Sequence, residues 1–170
     1  MSIIIRVIKD TDNVALAKIL RNSLDEFNVP QEGTVYTDPT TDNLYALFKP
    51  SNSIYYVAEE DGVILGGCGV YPTEGLPKKC AELVKFYLSN QSRGKGIGKM
   101  MLEKCFTAAA ALGYTHLYLE SFPQFEKAVS MYEKAGFEML SGPLGNSGHF
   151  ACTIWMLKKL NQDTKSDAPF

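Results

Sequence analysis

The chain has no hydrophobic run long enough to cross a bilayer. Its most apolar stretch, Phe106 to Leu112, is short and broken by Thr107, whereas a spanning helix needs about 20 apolar residues. The opening Met1-Ser2-Ile3-Ile4-Ile5-Arg6 lacks the basic start and long apolar region of a secretory leader. Cysteine is scarce: Cys68, Cys80, Cys105 and Cys152 are widely spaced and form no Cys-x-x-Cys or Cys/His cluster. We therefore expect reduced, buried thiols in a cytoplasmic protein, and no metal. Charge of one sign is missing as well. Seventeen Lys and Arg oppose nineteen Asp and Glu, a net charge of −2, which excludes the basic footprint of a nucleic-acid binder. No repeat or linker divides the 170 residues, of which 45% are hydrophobic and 21% charged. This profile predicts one globular domain over residues 1–160 and a polar tail over 161–170.

Arg93, Lys95 and Lys99 form a local concentration of positive charge in Gln91-Ser92-Arg93-Gly94-Lys95-Gly96-Ile97-Gly98-Lys99. Three glycines alternate with basic residues and open into an apolar-periodic stretch from Ile97 to Leu112. Glycine lets backbone N–H groups approach a ligand, and the first turn of a helix offers unpaired donors at its positive end. Helix starts attract acids, yet the first acid here is Glu103. The arrangement suits a bound pyrophosphate; the alternative is a plain glycine-rich turn with a solvated basic rim. Two familiar phosphate loops are excluded by spacing. Met100 follows Gly98-Lys99 where a P-loop needs Ser or Thr, and Lys99 stands where a Rossmann turn needs its third glycine.

Elsewhere the pattern predicts a strand over 3–8, a helix capped at Thr11-Asp12, a loop over 27–41 and a short helix from Asp42 or Asn43 to Phe48. A hairpin over 54–60 and 63–71 turns at Asp61-Gly62. Gly66, Gly67 and Gly69 suggest a bulge or a close approach in its second strand. A strand over 80–88 precedes the central helix, which Gly113 caps. Then come a strand over 116–121, a helix over 124–135 ending at Gly136, and a final strand pair over 137–140 and 150–157. Antiparallel strands followed by strand-helix alternation predict an α/β, α+β-type architecture: a mixed, mostly antiparallel sheet of about seven strands with helices on both faces.

Three segments occur in a telling order: Glu82-Leu83-Val84-Lys85-Phe86-Tyr87, the Arg93-Gly94-Lys95-Gly96-Ile97-Gly98 loop, and Ala128-x-x-x-Tyr132-Glu133-x-x-Gly136-Phe137. Together they resemble the GNAT superfamily of acetyl-CoA-dependent N-acetyltransferases, most strongly between Glu82 and Phe137. The resemblance implies the GNAT fold, in which two central strands splay and admit the pantetheine of acetyl-CoA. By that likeness the backbone of Phe86, Tyr87 and Leu88 pairs with pantetheine, and Gln91, Arg93, Gly94, Lys95, Gly96, Ile97, Gly98 and Lys99 hold the pyrophosphate. The resemblance implies acetyl-CoA as co-substrate and an amine acceptor as partner, and a small molecule is expected over a protein. Homodimers are common in the family.

Acetylating an amine requires a group that takes the amine proton, a polarised thioester carbonyl and a proton for the departing thiolate. No metal is needed. By the resemblance Tyr132 is the general acid, matching the family's Tyr five residues before Phe137. Glu82 is the favoured base and Glu120 the second candidate, an acid in an otherwise apolar strand. His149 reads first as a surface histidine and second as part of a polar loop walling the acceptor pocket, and Tyr36, Tyr45, Tyr71 and Phe122 read as core aromatics before channel linings. Where many members carry an Asn after the post-helix strand, this chain has Ser121-Phe122-Pro123-Gln124, which leaves that cofactor contact in doubt. An acyl-CoA-binding module without turnover is the alternative function.

Overall fold

Asp61 and Gly62 both take left-handed backbone angles, φ 49° and 82°, as a type I′ turn between right-twisted strands requires. They join β2 (Ile54–Glu60) to β3 (Val63–Tyr71), the expected hairpin. The structure is a computed structural model and describes residues 2–161; beyond residue 161, the expected polar tail lies outside the described residues. With β1 (Ile3–Val7), β4 (Cys80–Leu88), β5 (His116–Ser121), β6 (Glu138–Met139) and β7 (Ile154–Lys159), the strands form one seven-stranded sheet. Its order is β1-β2-β3-β4-β5-β7-β6, with every neighbouring pair antiparallel except β4–β5. A parallel pair needs a long crossover, which α3 (Ile97–Ala111) supplies. The other helices are α1 (Asn13–Glu26), α2 (Leu44–Leu47) and α4 (Glu126–Lys134).

Alternation along β2 shows how the two faces are covered. Tyr55 and Val57 pack with Leu16 of α1 and Leu44 of α2. Tyr56 and Ala58 point the other way, into a core built with Met101, Leu102 and Cys105 of α3 and Val129 of α4. All four cysteines are free and buried, and no helix among the described residues is long and apolar enough to cross a membrane.

Several bounds differ from the sequence pattern, each for a local reason. The loop expected over 27–41 ends in a 3-10 turn, Pro39–Asn43, capped by the Asp38 carboxylate accepting from Thr40 N. The last strand begins at Ile154 and not at Phe150, because Ala151 N donates to Gly33 O at 3.1 Å and Cys152 N to His149 O at 3.2 Å. The first bond ties the segment to the 27–41 region instead of the sheet, and the second turns it locally. Phe137 stays out of β6, its N–H closing the end of α4 on Tyr132 O at 3.0 Å. The start of α4 moves to Glu126 because Phe125 N turns back to Phe122 O.

Two irregularities position the site. The β4–β5 pairing runs only from Cys80↔His116 to Glu82↔Tyr118. From Leu83 onward β4 has no partner on that side among the described residues, while β5 keeps pairing with β7 through Ser121↔Ile154; the central strands part at Glu82. The β3–β4 register also shifts, Gly67 facing Tyr87 and Gly69 facing Val84. One extra residue therefore bulges from β4. Lys85 sits there at φ 51°, an uncommon angle for a residue other than glycine. The bulge needs close backbone approach: a Cβ on Gly66, at φ +144°, would lie 2.1 Å from Tyr87 O.

Candidate active site

Glu82 stands where the strands separate. Its side chain is buried, with the residue 4% exposed, and one carboxylate oxygen accepts from the Thr73 hydroxyl at 2.7 Å. Burial pushes its pKa up to about 8, opposed by that hydrogen bond and by Lys85, and reinforced by nearby Glu120. A carboxylate so placed can take and return a proton near neutral pH. Glu120, on β5, accepts from the Tyr118 hydroxyl at 2.7 Å and from the Ser147 hydroxyl. Both glutamates line a cavity of about 40 Å³ together with Lys85, His149, Phe122 and Cys152. The two candidate bases thus share one site.

His149 corrects the surface reading. It lies partly buried against that cavity, its Nε2 3.0 Å from Asp38 Oδ2, because the 142–149 segment folds back over the open end of the sheet. Asp38 also meets the Lys85 ammonium at 3.3 Å. The hydrogen bond to His149, opposed by burial and helped by the Lys85 charge, holds Asp38 well below the usual carboxylate range. Burial moves Lys85 downward from its ordinary value as well, with Asp38 opposing. Thr73, Lys85, Asp38 and Ser147 are site residues that the sequence reading missed. Lys85 carried a signal, a charge inside an apolar strand; the others carried none.

Tyr132 lies on α4, buried to 7% exposure, its ring edge-on to Phe137 at 5.8 Å and 6.2 Å from Phe86. The motif spacing produces this stacking, since Phe137 follows the turn that ends α4. Burial holds the phenol well above its ordinary pKa, so it stays protonated and able to donate. Tyr36 and Phe122 pack in a cluster with α1, and Tyr45 and Tyr71 pack around Phe48. Of these four, Phe122 alone also lines the cavity. His116 opens β5, and its Nδ1 lies 2.8 Å from the Thr115 hydroxyl.

The glycine loop enters α3 through Gly96 at φ 71°, with no side-chain cap and no acid in the first turn. Gly94 and Gly96 face open space, and among the described residues the N–H groups of Gly94 through Gly98 find no acceptor. Ser89, just upstream, has a buried hydroxyl with no partner among the described residues. The three basic side chains differ from the sequence picture of a crowded, uncompensated rim. Arg93 pairs with Glu26 and rests over Phe27, and Lys95 pairs with Glu60 at 2.6 Å. The fold brings α1 and β2 beside the loop, so of these three only Lys99 makes no ion pair among the described residues. Lys99 borders an open groove of about 810 Å³ between α3 and α4.

A mixed sheet that parts beside an uncapped glycine-rich helix start is the GNAT fold, an acyltransferase architecture. The sequence matches the acetyltransferase (GNAT) family over residues 19–137, and the chain belongs to that family. It is 33% identical over 150 residues to the uncharacterized N-acetyltransferase YjgM of Escherichia coli (strain K12), covering 88% of this chain and 90% of that protein. Among solved structures it superposes on a GNAT-family acetyltransferase from Staphylococcus aureus Mu50 with a TM-score of 0.78 at 19% identity. That match covers 94% of this chain and 100% of the other. A PaiA N-acetyltransferase from Thermoplasma acidophilum, solved with coenzyme A, gives a TM-score of 0.73 at 22% identity, over 94% of this chain and 99% of that one.

Proposed function

We propose that residues 1–160 form one N-acetyltransferase domain that moves the acetyl group of acetyl-CoA directly to a primary amine within a ternary complex. A small-molecule acceptor is favoured. The observation that carries this reading is the parting of β4 from β5 at Glu82, between the Glu82–Glu120 cavity and the free N–H groups of the α3 start. The residues present fit the co-substrate. The β5-facing side of the backbone from Leu83 to Leu88, the orphaned Ser89 hydroxyl and the donors of 94–98 offer hydrogen bonds to a pantetheine arm and a pyrophosphate. Phe86, Tyr87 and Leu88 would hold the arm; Gln91, Arg93, Lys99 and the loop backbone would hold the phosphates.

The acetyl thioester supplies an activated carbonyl, whose C–S bond breaks as the C–N bond forms. Glu82 Oε takes the proton released by the amine, directly or through water, with Glu120 as the alternative. Its raised pKa sets the pH at which it can do so. The Tyr132 hydroxyl donates the proton that converts the departing thiolate to a thiol. The four buried, free cysteines suit a reducing, cytoplasmic setting.

A second reading, acyl-CoA binding without turnover, draws support from the size of the cavity, about 40 Å³, which closes against an acceptor while the 142–149 segment is down. Steady-state CoA release with an amine panel separates the two. Intersecting initial-rate patterns support direct transfer, parallel lines support a covalent intermediate, and tight acetyl-CoA binding with no release for any amine supports the module.

A further inference from the structure

Lys85 is a buried charge that the transfer chemistry leaves unused. The β4 bulge holds it at a left-handed angle, and its side chain is only 4% exposed. An ammonium has three donors, yet among the described residues Lys85 makes two long contacts, 3.3 Å to Asp38 and 3.4 Å to the Thr41 hydroxyl. Asp38 is shared with His149 Nε2 at 3.0 Å, so two nitrogen groups draw on one carboxylate. Lys85 and His149 line the same cavity as Glu82 and Glu120, and the rest of its wall includes Val35, Phe122 and Cys152. One small chamber therefore holds both carboxylates that can meet an amine and under-supplied donors that can meet an anion.

We infer that the acceptor is zwitterionic, an amino acid whose amine meets Glu82 and Glu120 while its carboxylate is held by Lys85 and His149. This rests on the acetyltransferase reading above and adds the acceptor class. The chamber, at about 40 Å³, has room for only a few waters, so the acceptor enters as the 142–149 segment lifts. Leu144 N donates to the Tyr118 hydroxyl and Asn146 N to Glu74 O, and two side-chain contacts tie the segment to the chamber, Ser147 to Glu120 and His149 to Asp38. Each imitates half of the acceptor: the Ser147 hydroxyl occupies the amine's place at Glu120, and the Asp38 carboxylate occupies the acid's place beside Lys85. The apolar wall favours an uncharged side chain.

The test measures CoA release with α-amino acids and their matched carboxamides, compared at equal concentrations of neutral amine, with acetyl-CoA binding followed by calorimetry on the same samples. The expected kcat/KM is about tenfold or more higher for the acid than for its amide. Lys85→Met brings the ratio to about one, and Lys85→Arg retains part of it. His149→Gln lowers the ratio as well, which keeps the test open if Lys85→Met fails to fold. Amides used as well as acids, a ratio unchanged in folded Lys85→Met, or no amino acid turned over by protein that binds acetyl-CoA would each overturn the inference and leave the co-substrate assignment standing. Failure to bind acetyl-CoA would remove the acetyltransferase reading and this inference with it.

Discussion

Replacing Glu82 with glutamine keeps its shape and an oxygen for the Thr73 hydroxyl but removes the titrating group. In the native chain burial raises the Glu82 pKa from the ordinary 4.5 to about 8. Below 4.5 the folded and unfolded chains both hold the proton. Between 4.5 and about 8 the unfolded chain has released it while the native chain keeps it, so the native state binds more protons and loses stability as pH rises. Above about 8 both are ionised and the loss levels off. The loss is about 1.4 kcal/mol per pH unit and reaches about 5 kcal/mol in full. Urea unfolding of wild type and Glu82→Gln between about pH 5 and pH 9 reads it directly. The variant's stability relative to wild type should climb with that slope and flatten near pH 8. A gap that stays constant with pH would refute the buried-carboxylate reasoning. In kinetics, wild-type kcat/KM should rise towards pH 8, and Glu82→Gln should lose both that limb and about 100-fold in rate.

Tyr132→Phe removes a hydroxyl but no ring packing; kcat should fall about tenfold or more while calorimetry shows acetyl-CoA binding nearly intact. Unchanged kcat across a pH series would take Tyr132 out of the mechanism. Lys99→Glu puts an acid at the uncapped α3 start and should raise the acetyl-CoA Kd about tenfold, about 1.4 kcal/mol, with little change in Tm; an unchanged Kd would detach the loop from the phosphates. Gly66→Ala forces a Cβ onto Tyr87 O at 2.1 Å and should destabilise the fold by about 2–4 kcal/mol, read as a lower urea midpoint.

What the sequence made legible was local. Asp61-Gly62 specified its hairpin because a two-residue turn accepts few residue pairs, and β2 through β5 fall where alternation and turn residues put them. The glycines of β3 signalled the close approach that the bulge makes. The resemblance brought out Glu82, Glu120 and Tyr132 as candidates, and the fold places both glutamates on one cavity. The partnerships that shape the site were invisible because the chain closes them over long separations: Arg93 with Glu26 across 67 positions, Lys85 with Asp38 across 47, and His149 with Asp38 across 111. No periodicity encodes such pairs. The late start of β7 has the same origin, since the bond that holds Ala151 out of the sheet comes from Gly33.

Calorimetric titration of the purified chain with acetyl-CoA, with ATP and NAD in parallel, tests the central claim most directly. Selective, near-stoichiometric binding of acetyl-CoA is expected, with little heat from either control. Absence of binding by well-folded protein, or ATP or NAD binding as tightly, would contradict it.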